Sequence, residues 1–257
     1  KYLDSVFYDA SAWSVSNFYN MKHKALKSFD PNKLERLNDM VVNNPKVSKS
    51  NYAYILDWDD YNTPAALNHL HKNGLISYSA YKPFSIKVNE DDNLKSFNRG
   101  SVMVPVSKQK VDSQKLFQIV QSAQEKFNIP VFSTETGYSS TGIDLGSNFF
   151  RINKKVKVAM LIGEGVSSYE AGEVWHLLDT RVHIPLTKIR LNQFNRTSLD
   201  KYTTLVMVSG AYGQISEKDI KKIKDWVSKG NTLVTIGSAS SWAIKKEIVS
   251  ESLVETK

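Results

Sequence analysis

The chain contains no cysteine, and this absence removes several kinds of chemistry at once. Without thiols it forms no disulfide bond, no thiolate zinc site and no cysteine nucleophile. The absence leaves the cellular compartment open, because a cysteine-free chain suits the cytosol and the periplasm equally. No segment approaches the roughly 18 consecutive apolar residues that a membrane-spanning helix needs, so we expect no membrane span.

Histidine is scarce as well, and none of the five histidines has Glu three residues later. They are His23, His69, His71, His176 and His183. A carboxypeptidase-like zinc site uses His-x-x-Glu with a distant third histidine, so we expect no metal site in this chain. Asp57, Asp59 and Asp60 could hold a hard cation, but we favour the interpretation that they cap the turn and helix that follow.

Basic residues exceed acidic ones, which gives a net charge of +8. Such an excess raises the question of nucleic acid as a partner. The lysines are interleaved with acids, however, as in Glu217–Asp225, and no known nucleic-acid-binding motif accompanies them. We therefore expect a solvated basic surface and no nucleic-acid partner.

Strand and helix patterns alternate along the 257 residues. Tyr52–Leu56 predicts a strand, and Thr63-Pro64 opens a helix, because proline suits the first helical position. This alternation predicts an α/β fold with two doubly wound, mostly parallel sheets. We place the domains at residues 1–153 and 154–257. The second has few strands for a complete doubly wound fold, so we expect it to be truncated at its C-terminus. Since Lys1 is not a methionine, we expect a processed or engineered piece.

The segment Lys157–Asp179 carries the clearest βα pattern. The apolar run Val158–Ile162 meets a glycine-rich turn, and a helix follows in which Ala171, Val174 and Trp175 share one face. Ligands in such sheets bind beyond the carboxyl ends of the strands. We therefore predict a ligand crevice lined by Gly163, Glu164, Gly165, Ser167, Ser168, Tyr169, Gly210, Tyr212, Gly237 and Ser238. Dinucleotide binding is disfavoured, since the third fingerprint glycine is missing and several glutamates would repel a pyrophosphate.

Several stretches resemble the C-terminal region of large bacterial zinc carboxypeptidase-like proteins. They are Tyr8–Trp13, Asp57–Tyr61, Gly142–Ser147, Gly165–Asp179 and Ile184–Thr187. The resemblance implies a secreted or periplasmic bacterial metallopeptidase, a hydrolase, as the parent protein. It also implies that the zinc belongs to a catalytic domain upstream of Lys1, so this chain would hold no cofactor of its own. No catalytic residue of that family can be carried onto a position here.

The second domain is similar to the class I glutamine amidotransferase-like fold, in which a strand-to-helix elbow presents a cysteine. The matching stretch, Leu233–Trp242, has Gly and Ser where that family has cysteine. Ser238 or Ser240 could act as a nucleophile with His176 as its base, although no Gly-x-Ser-x-Gly motif is present. The other interpretation is that these serines cap a helix.

The leading hypothesis from the sequence is a non-catalytic accessory region of a zinc carboxypeptidase. It would support the parent's own peptidase domain, or bind peptide, glycan or another protein for it. Two alternatives stay open. One is a divergent serine hydrolase that uses Ser238 or Ser240. The other is a small-molecule sensor domain.

Overall fold

The computed structural model describes residues 46–89 and 93–254, together with positions 22, 24, 27, 28, 30, 32 and 44. The chain divides into two compact units, Lys1–Val42 and Asn43–Lys257, and every element below belongs to the second. The stretch Tyr8–Trp13 lies outside the described residues. In the part of the chain that the structure describes, no helix is long and apolar enough to cross a bilayer.

The described part contains strands and helices throughout. The strands are β1 (Ala53–Leu56), β2 (Tyr78–Ala80), β3 (Phe84–Val88), β4 (Asn93–Phe97), β5 (Val102–Pro105), β6 (Val131–Thr134), β7 (Thr141–Gly142), β8 (Phe150–Ile152), β9 (Val158–Ile162), β10 (Leu186–Arg190), β11 (Thr204–Met207) and β12 (Thr232–Thr235). The helices are α1 (Thr63–Lys72), α2 (Ser113–Phe127), α3 (Ser168–His176), α4 (Glu217–Ser228) and α5 (Ser238–Lys245). We call residues 46–152 the split-sheet region and residues 158–254 the parallel-sheet region.

The main sheet of the split-sheet region has five strands in the order β6-β1-β5-β2-β8, and all its neighbouring strands are antiparallel. The expectation of a mostly parallel sheet is therefore wrong here. Each helix does connect two strands that run in the same direction, but an antiparallel strand lies between them. Thus β5 separates β1 from β2, and β1 separates β5 from β6. This is the arrangement of the split βαβ motif.

The two faces of this sheet are covered differently. Helices α1 and α2 pack on one face, where Leu70 and Leu116 join Tyr54 and Leu56 in one buried cluster. A small antiparallel sheet, in the order β4-β3-β7, covers the other face with residues such as Phe84. Because both faces are covered, all four residues of β1 are buried. The helix that was predicted from Thr63-Pro64 is confirmed.

The parallel-sheet region contains a four-stranded sheet in the order β10-β9-β11-β12, and each neighbouring pair is parallel. Helix α3 packs on one face, where Ala171 joins Met160 and Val206. Helices α4 and α5 pack on the other face through Ile223 and Ala239. This part of the chain therefore has the mixed α/β character that the sequence predicts, with helices on both faces of a parallel sheet.

Helix α4 begins at a serine cap. Ser216 is the N-cap, and its hydroxyl accepts a hydrogen bond from the backbone N–H of Asp219 while donating to that carboxylate at 2.7 Å. Trp226 is buried, and its indole N–H donates to the carbonyl of Leu199 at 2.9 Å. The cap thus fixes the start of the helix, and Trp226 anchors it in the core. Strands on the two sides of residue 153 belong to different sheets, whereas the domain boundary at 153/154 stays a prediction.

Candidate functional site

The strand-to-helix elbow after β12 is formed, and glycine occupies its turning point. Gly237 has φ 57° and ψ −128°, a conformation that L-residues with a Cβ atom rarely adopt. A Cβ atom at this position would also lie 2.1 Å from the hydroxyl oxygen of Ser209. Glycine therefore occupies the position from which an elbow nucleophile would project, and it supplies no side chain there.

The two serines after the elbow bind main-chain groups. The Ser238 hydroxyl accepts a hydrogen bond from the N–H of Gly210 at 3.0 Å. The Ser240 hydroxyl donates to the hydroxyl of Thr235 at 3.0 Å and to its carbonyl at 3.2 Å. Both hydroxyls thus fix the loops at the carboxyl ends of β11 and β12.

Within the described residues, no hydrogen bond links His176 to Ser238 or Ser240. It lies at the C-terminal end of α3, a helix of 9 residues that starts beyond the carboxyl end of β9. The helix axis is therefore about 13 Å long, and His176 is at the end remote from the β9 turn. The three candidate catalytic residues do not form a hydrogen-bonded set in this structure.

The loops at the carboxyl ends of β9 and β11 are joined to each other. The N–H of Ala211 donates to the carbonyl of Gly165 at 2.7 Å, and the N–H of Ser167 donates to the carbonyl of Ser209 at 2.8 Å. A Cβ atom on Gly210 would lie 2.8 Å from the carbonyl oxygen of Gly165, so this close approach depends on glycine. Much of the predicted crevice is therefore occupied by the loops themselves.

Two predicted crevice residues lie in quite different surroundings. Tyr212 is buried in the core, and its hydroxyl donates to the carbonyl of Val208 at 2.6 Å. Burial, reinforced by the negative charge of Glu170, raises the pKa of Tyr212 to about 12. Tyr169, by contrast, is 87% exposed. Sequence spacing placed both near the strand ends but did not distinguish a core residue from a surface one.

Open space remains on both sides of Gly163. The apolar hollow has a volume of about 530 Å³ and is lined by Met160, Ile162, Gly163, Val166, Ser167, Ser168, Ala171, Gly172, Trp175 and Lys188. The polar hollow has a volume of about 460 Å³ and is lined by Ile162, Gly163, Glu164, Arg190, Leu191, Asn192 and Gln214. Four predicted residues therefore line a hollow. They are Gly163, Glu164, Ser167 and Ser168.

The apolar hollow also contains a contact that the sequence analysis missed. The ammonium group of Lys188 on β10 lies 3.5 Å from the centre of the Trp175 ring. Trp175 is 44% exposed, although its helical spacing suggested a core position. The available signal was the edge strand β10, where Lys188 and Arg190 alternate with the buried Ile189. Both cations therefore belong to one face of that strand.

The other polar clusters have local partners. The Asp57 carboxylate lies 3.1 Å from the ammonium group of Lys95, and the Asp60 carboxylate accepts from the N–H of Asn62 at 2.8 Å. Lys95 belongs to β4, whereas the contact between Asp60 and Asn62 belongs to the turn before α1. The N-cap of α1 is Asn62, so the expectation that these aspartates cap the helix is wrong, although Asp60 does cap the turn. His71 contacts the Ser77 hydroxyl at 2.8 Å, and burial, with the charge of Lys155, lowers its pKa.

Among residues 46–89 and 93–254, no three His, Asp or Glu side chains converge as metal ligands would. Comparisons with known proteins add no identity: no family model, no curated protein and no solved structure matches this chain.

Proposed function

We propose that this chain is a non-catalytic binding module whose ligand occupies the apolar hollow beside Trp175. The observation that carries the proposal is the contrast between the elbow and the hollow. Gly237 supplies no side chain at the elbow, and Ser238 is engaged with the main chain. The hollow, which is lined by residues of β9, the loop after it, α3 and β10, has the size and apolar lining typical of small-molecule or peptide sites.

The lining of the hollow indicates what it would hold. Met160, Val166 and Ala171 provide an apolar surface, and Trp175 adds a large aromatic ring at its side. Apolar or aromatic groups of a peptide, or the apolar face of a sugar, suit such a surface. Lys188, the one charged residue that lines the hollow in the described part of the chain, favours a ligand with neutral or acidic polar groups.

We further propose that the parallel sheet belongs to a doubly wound, flavodoxin-like fold, which the strand order β10-β9-β11-β12 supports. The association with a zinc peptidase domain, and with it a periplasmic or secreted location, rests on the sequence stretches alone. In that setting the module would hold peptide or glycan for the peptidase, and the zinc would belong to the peptidase domain.

Binding is testable with a substitution that fills the hollow. Gly172 lies inside α3, and a Cβ atom there meets nothing within 4 Å, so Gly172→Leu adds volume to the hollow without a backbone clash. Gly213 has equally open surroundings and lines neither hollow, which makes Gly213→Leu the matched control. Thermal unfolding is measured with a panel of peptides, glycans and nucleotides. A ligand at 100 times its Kd adds about 2.7 kcal/mol of stability.

We expect at least one peptide or glycan to stabilise the native chain and the Gly213→Leu variant, and to lose its effect on Gly172→Leu. Stabilisation by nucleotides alone would favour the sensor hypothesis. A panel without any effect, or a ligand that stabilises Gly172→Leu as well as the native chain, would contradict binding in this hollow.

The serine hydrolase hypothesis retains one supporting observation, the elbow conformation itself. It requires covalent modification of Ser238 or Ser240 by a fluorophosphonate probe, with loss of labelling in Ser238→Ala or Ser240→Ala. We expect an unmodified intact mass, because the Ser238 hydroxyl is hydrogen-bonded to Gly210 and the Ser240 hydroxyl to Thr235. Site-specific labelling would replace the binding-module proposal by the hydrolase.

A further inference from the structure

The split-sheet region contains a cleft that is separate from the hollows beside β10. We call it the tyrosine cleft. It has a volume of about 470 Å³ and is lined by Asn51, Tyr52, Tyr78, Met103, Pro105, Ser107, Lys108, Leu145, Gly146, Ser147, Asn148 and Phe150. Its walls come from the ends of β1, β2 and β5 and from the Gly142–Ser147 stretch, which has no role in the site described above.

The floor of the tyrosine cleft is apolar. Met103, Leu145 and Phe150 are buried in the cluster between the two sheets, and Tyr78 packs against the same cluster. The backbone N–H of Leu145 donates to the carbonyl of Gly137 at 3.0 Å, which fixes the loop that forms one wall. The cleft is therefore held by core residues, and an apolar group placed on this floor would leave water.

The rim of the cleft carries polar side chains. The side chains of Asn51, Ser107, Lys108 and Asn148 line the cleft, and within the described residues none of them makes a hydrogen bond to another protein group. They can therefore donate to, or accept from, a ligand without breaking an existing contact. A cleft with an apolar floor and a few such groups at its rim is typical of a ligand site.

The charge at the rim has one sign. Lys108 is the only charged side chain that lines the cleft in the part of the chain that the structure describes. Two carboxylates lie next to lining residues, and each accepts a hydrogen bond from a backbone N–H. Glu135 accepts from the backbone N–H of Asn51 at 3.0 Å, and Asp144 accepts from that of Ser139 at 2.8 Å. A ligand with a single negative charge would complement Lys108.

We infer that the tyrosine cleft binds a small organic anion in which one carboxylate is joined to an apolar body. The apolar body lies on Met103, Leu145 and Phe150. The carboxylate lies at the rim near the Lys108 ammonium group, with Asn51 and Asn148 as further hydrogen-bond donors. This inference is independent of the proposed function, because the two sites share no lining residue.

The test compares carboxylic acids with their neutral amides. The probes are hippurate, 4-phenylbutyrate and octanoate, each paired with its primary amide, and binding to the whole chain is measured by calorimetry and ligand-observed NMR. We expect at least one acid to bind, about fivefold more tightly than its amide, since an exposed charge pair contributes modestly. Lys108→Gln should remove the difference. Lys245→Gln, the same change at an exposed residue of α5, should retain it.

A second substitution tests the location. A Cβ atom on Gly146 meets nothing within 4 Å, so Gly146→Leu fills the cleft while the fold is kept. It should abolish binding of acid and amide, whereas Gly172→Leu should leave both unchanged. The inference is overturned if no acid binds more tightly than its amide, or if the tightest acid binds Gly146→Leu as well as the native chain. Neither result affects the proposal for the apolar hollow. Likewise, if no ligand binds in the apolar hollow, the inference for the tyrosine cleft is unaffected.

Discussion

Both regions contain strand–helix–strand crossovers, but the crossovers end in different places. In the parallel-sheet region, β9 and β10 are neighbours, as are β11 and β12, so each crossover returns beside its own strand. In the split-sheet region an antiparallel strand separates each such pair. Helices consequently cover both faces of the parallel sheet, whereas in the other region a second sheet covers one face.

This difference determines where open space is found. The loops beyond β9, β11 and β12 are hydrogen-bonded to one another, so at this end of the parallel sheet the two hollows lie toward the edge strand β10. The split-sheet region is open at the ends of β1, β2 and β5, where the covering sheet gives way to a loop. Similar crossover units therefore produce two clefts with different linings.

The largest expected effects come from the two cores. Leu56 on β1 and Leu161 on β9 are both fully buried, in separate clusters. Each change to alanine should cost about 2–5 kcal/mol, because it removes buried apolar surface and leaves a cavity. Denaturant unfolding monitored by circular dichroism measures the loss. Leu94→Ala is the control, since Leu94 is 60% exposed and should change stability by less than about 0.5 kcal/mol.

The same pair of variants tests the boundary predicted at residues 153/154. If the two regions unfold as independent domains, Leu56→Ala lowers one transition and Leu161→Ala lowers the other. A single transition that both substitutions shift would show that the regions unfold together and would argue against that boundary.

Substitution of the elbow glycine should lower the free energy of unfolding much more than substitution of a glycine that lines a cleft. We expect Gly237→Ala to cost about 1–3 kcal/mol, because it forces a Cβ atom into a conformation that residues with a Cβ rarely adopt and against the hydroxyl of Ser209. Gly146→Ala should lie within about 0.5 kcal/mol of the native chain, since its Cβ atom meets open space. Calorimetric unfolding of both variants checks the contrast. Equal stabilities would mean that the elbow is not closed as described.

The next largest effect is the contribution of Asp219 to the free energy of unfolding, which depends on pH. Burial alone would raise the pKa of Asp219, but hydrogen bonds from Lys222 and Ser216 outweigh it and hold the pKa below its ordinary value. A carboxylate with a depressed folded-state pKa stabilises the fold above its unfolded pKa of about 4, and this stability is lost as the pH falls through the folded pKa. Asp219→Asn should cost about 1–2 kcal/mol at neutral pH and show a weaker loss in acid.

Asp225 supplies the control for this measurement. Its ion pair with Lys221 on the same helix is exposed, so Asp225→Asn should cost about 0.5 kcal/mol or less. Urea unfolding across the acid range compares the two variants. If Asp219→Asn follows the pH dependence of the native chain, the hydrogen bonds to Asp219 contribute no pH-dependent stability.

The smallest effects are expected from exposed cation–aromatic pairs, one in each region. Lys188 lies 3.5 Å from the Trp175 ring centre, and Arg151 lies 4.5 Å from that of Tyr81. Replacement of either cation by glutamine should cost about 0.5–1 kcal/mol in thermal unfolding. A similar small loss in both regions is predicted. A much larger loss for Lys188→Gln would mean that this residue supports the fold and does not merely border the hollow.

The sequence predicts much of the parallel-sheet region because its signals are local. The apolar run Val158–Ile162 and the Ser216 cap each specify an element without reference to distant residues. Whether neighbouring strands of the split-sheet region run parallel or antiparallel depends instead on contacts between residues that are distant in the sequence. Strands buried on both faces, such as β1, have the apolar composition of parallel strands whichever way their neighbours run.

The hairpin of β3 and β4 was missed, although Phe84–Val88 alternates buried and less buried residues as a half-covered strand does. At the site, Gly163 was predicted to line the ligand crevice because it directly follows a strand. The contact of Trp175 with Lys188 was not, because it depends on the separation of α3 from the edge strand. Tyr212 shows the same limit, since its burial follows from the packing of α4 and α5 and not from its spacing.

The most direct test of the closed elbow and the open hollow is a fragment screen followed by backbone-amide NMR of the native chain. The account predicts that ligand-induced shifts in the parallel-sheet region cluster at Gly163, Ser167, Gly172 and Lys188. Shifts that cluster at Gly237–Ser240, with none at the hollow, would contradict it.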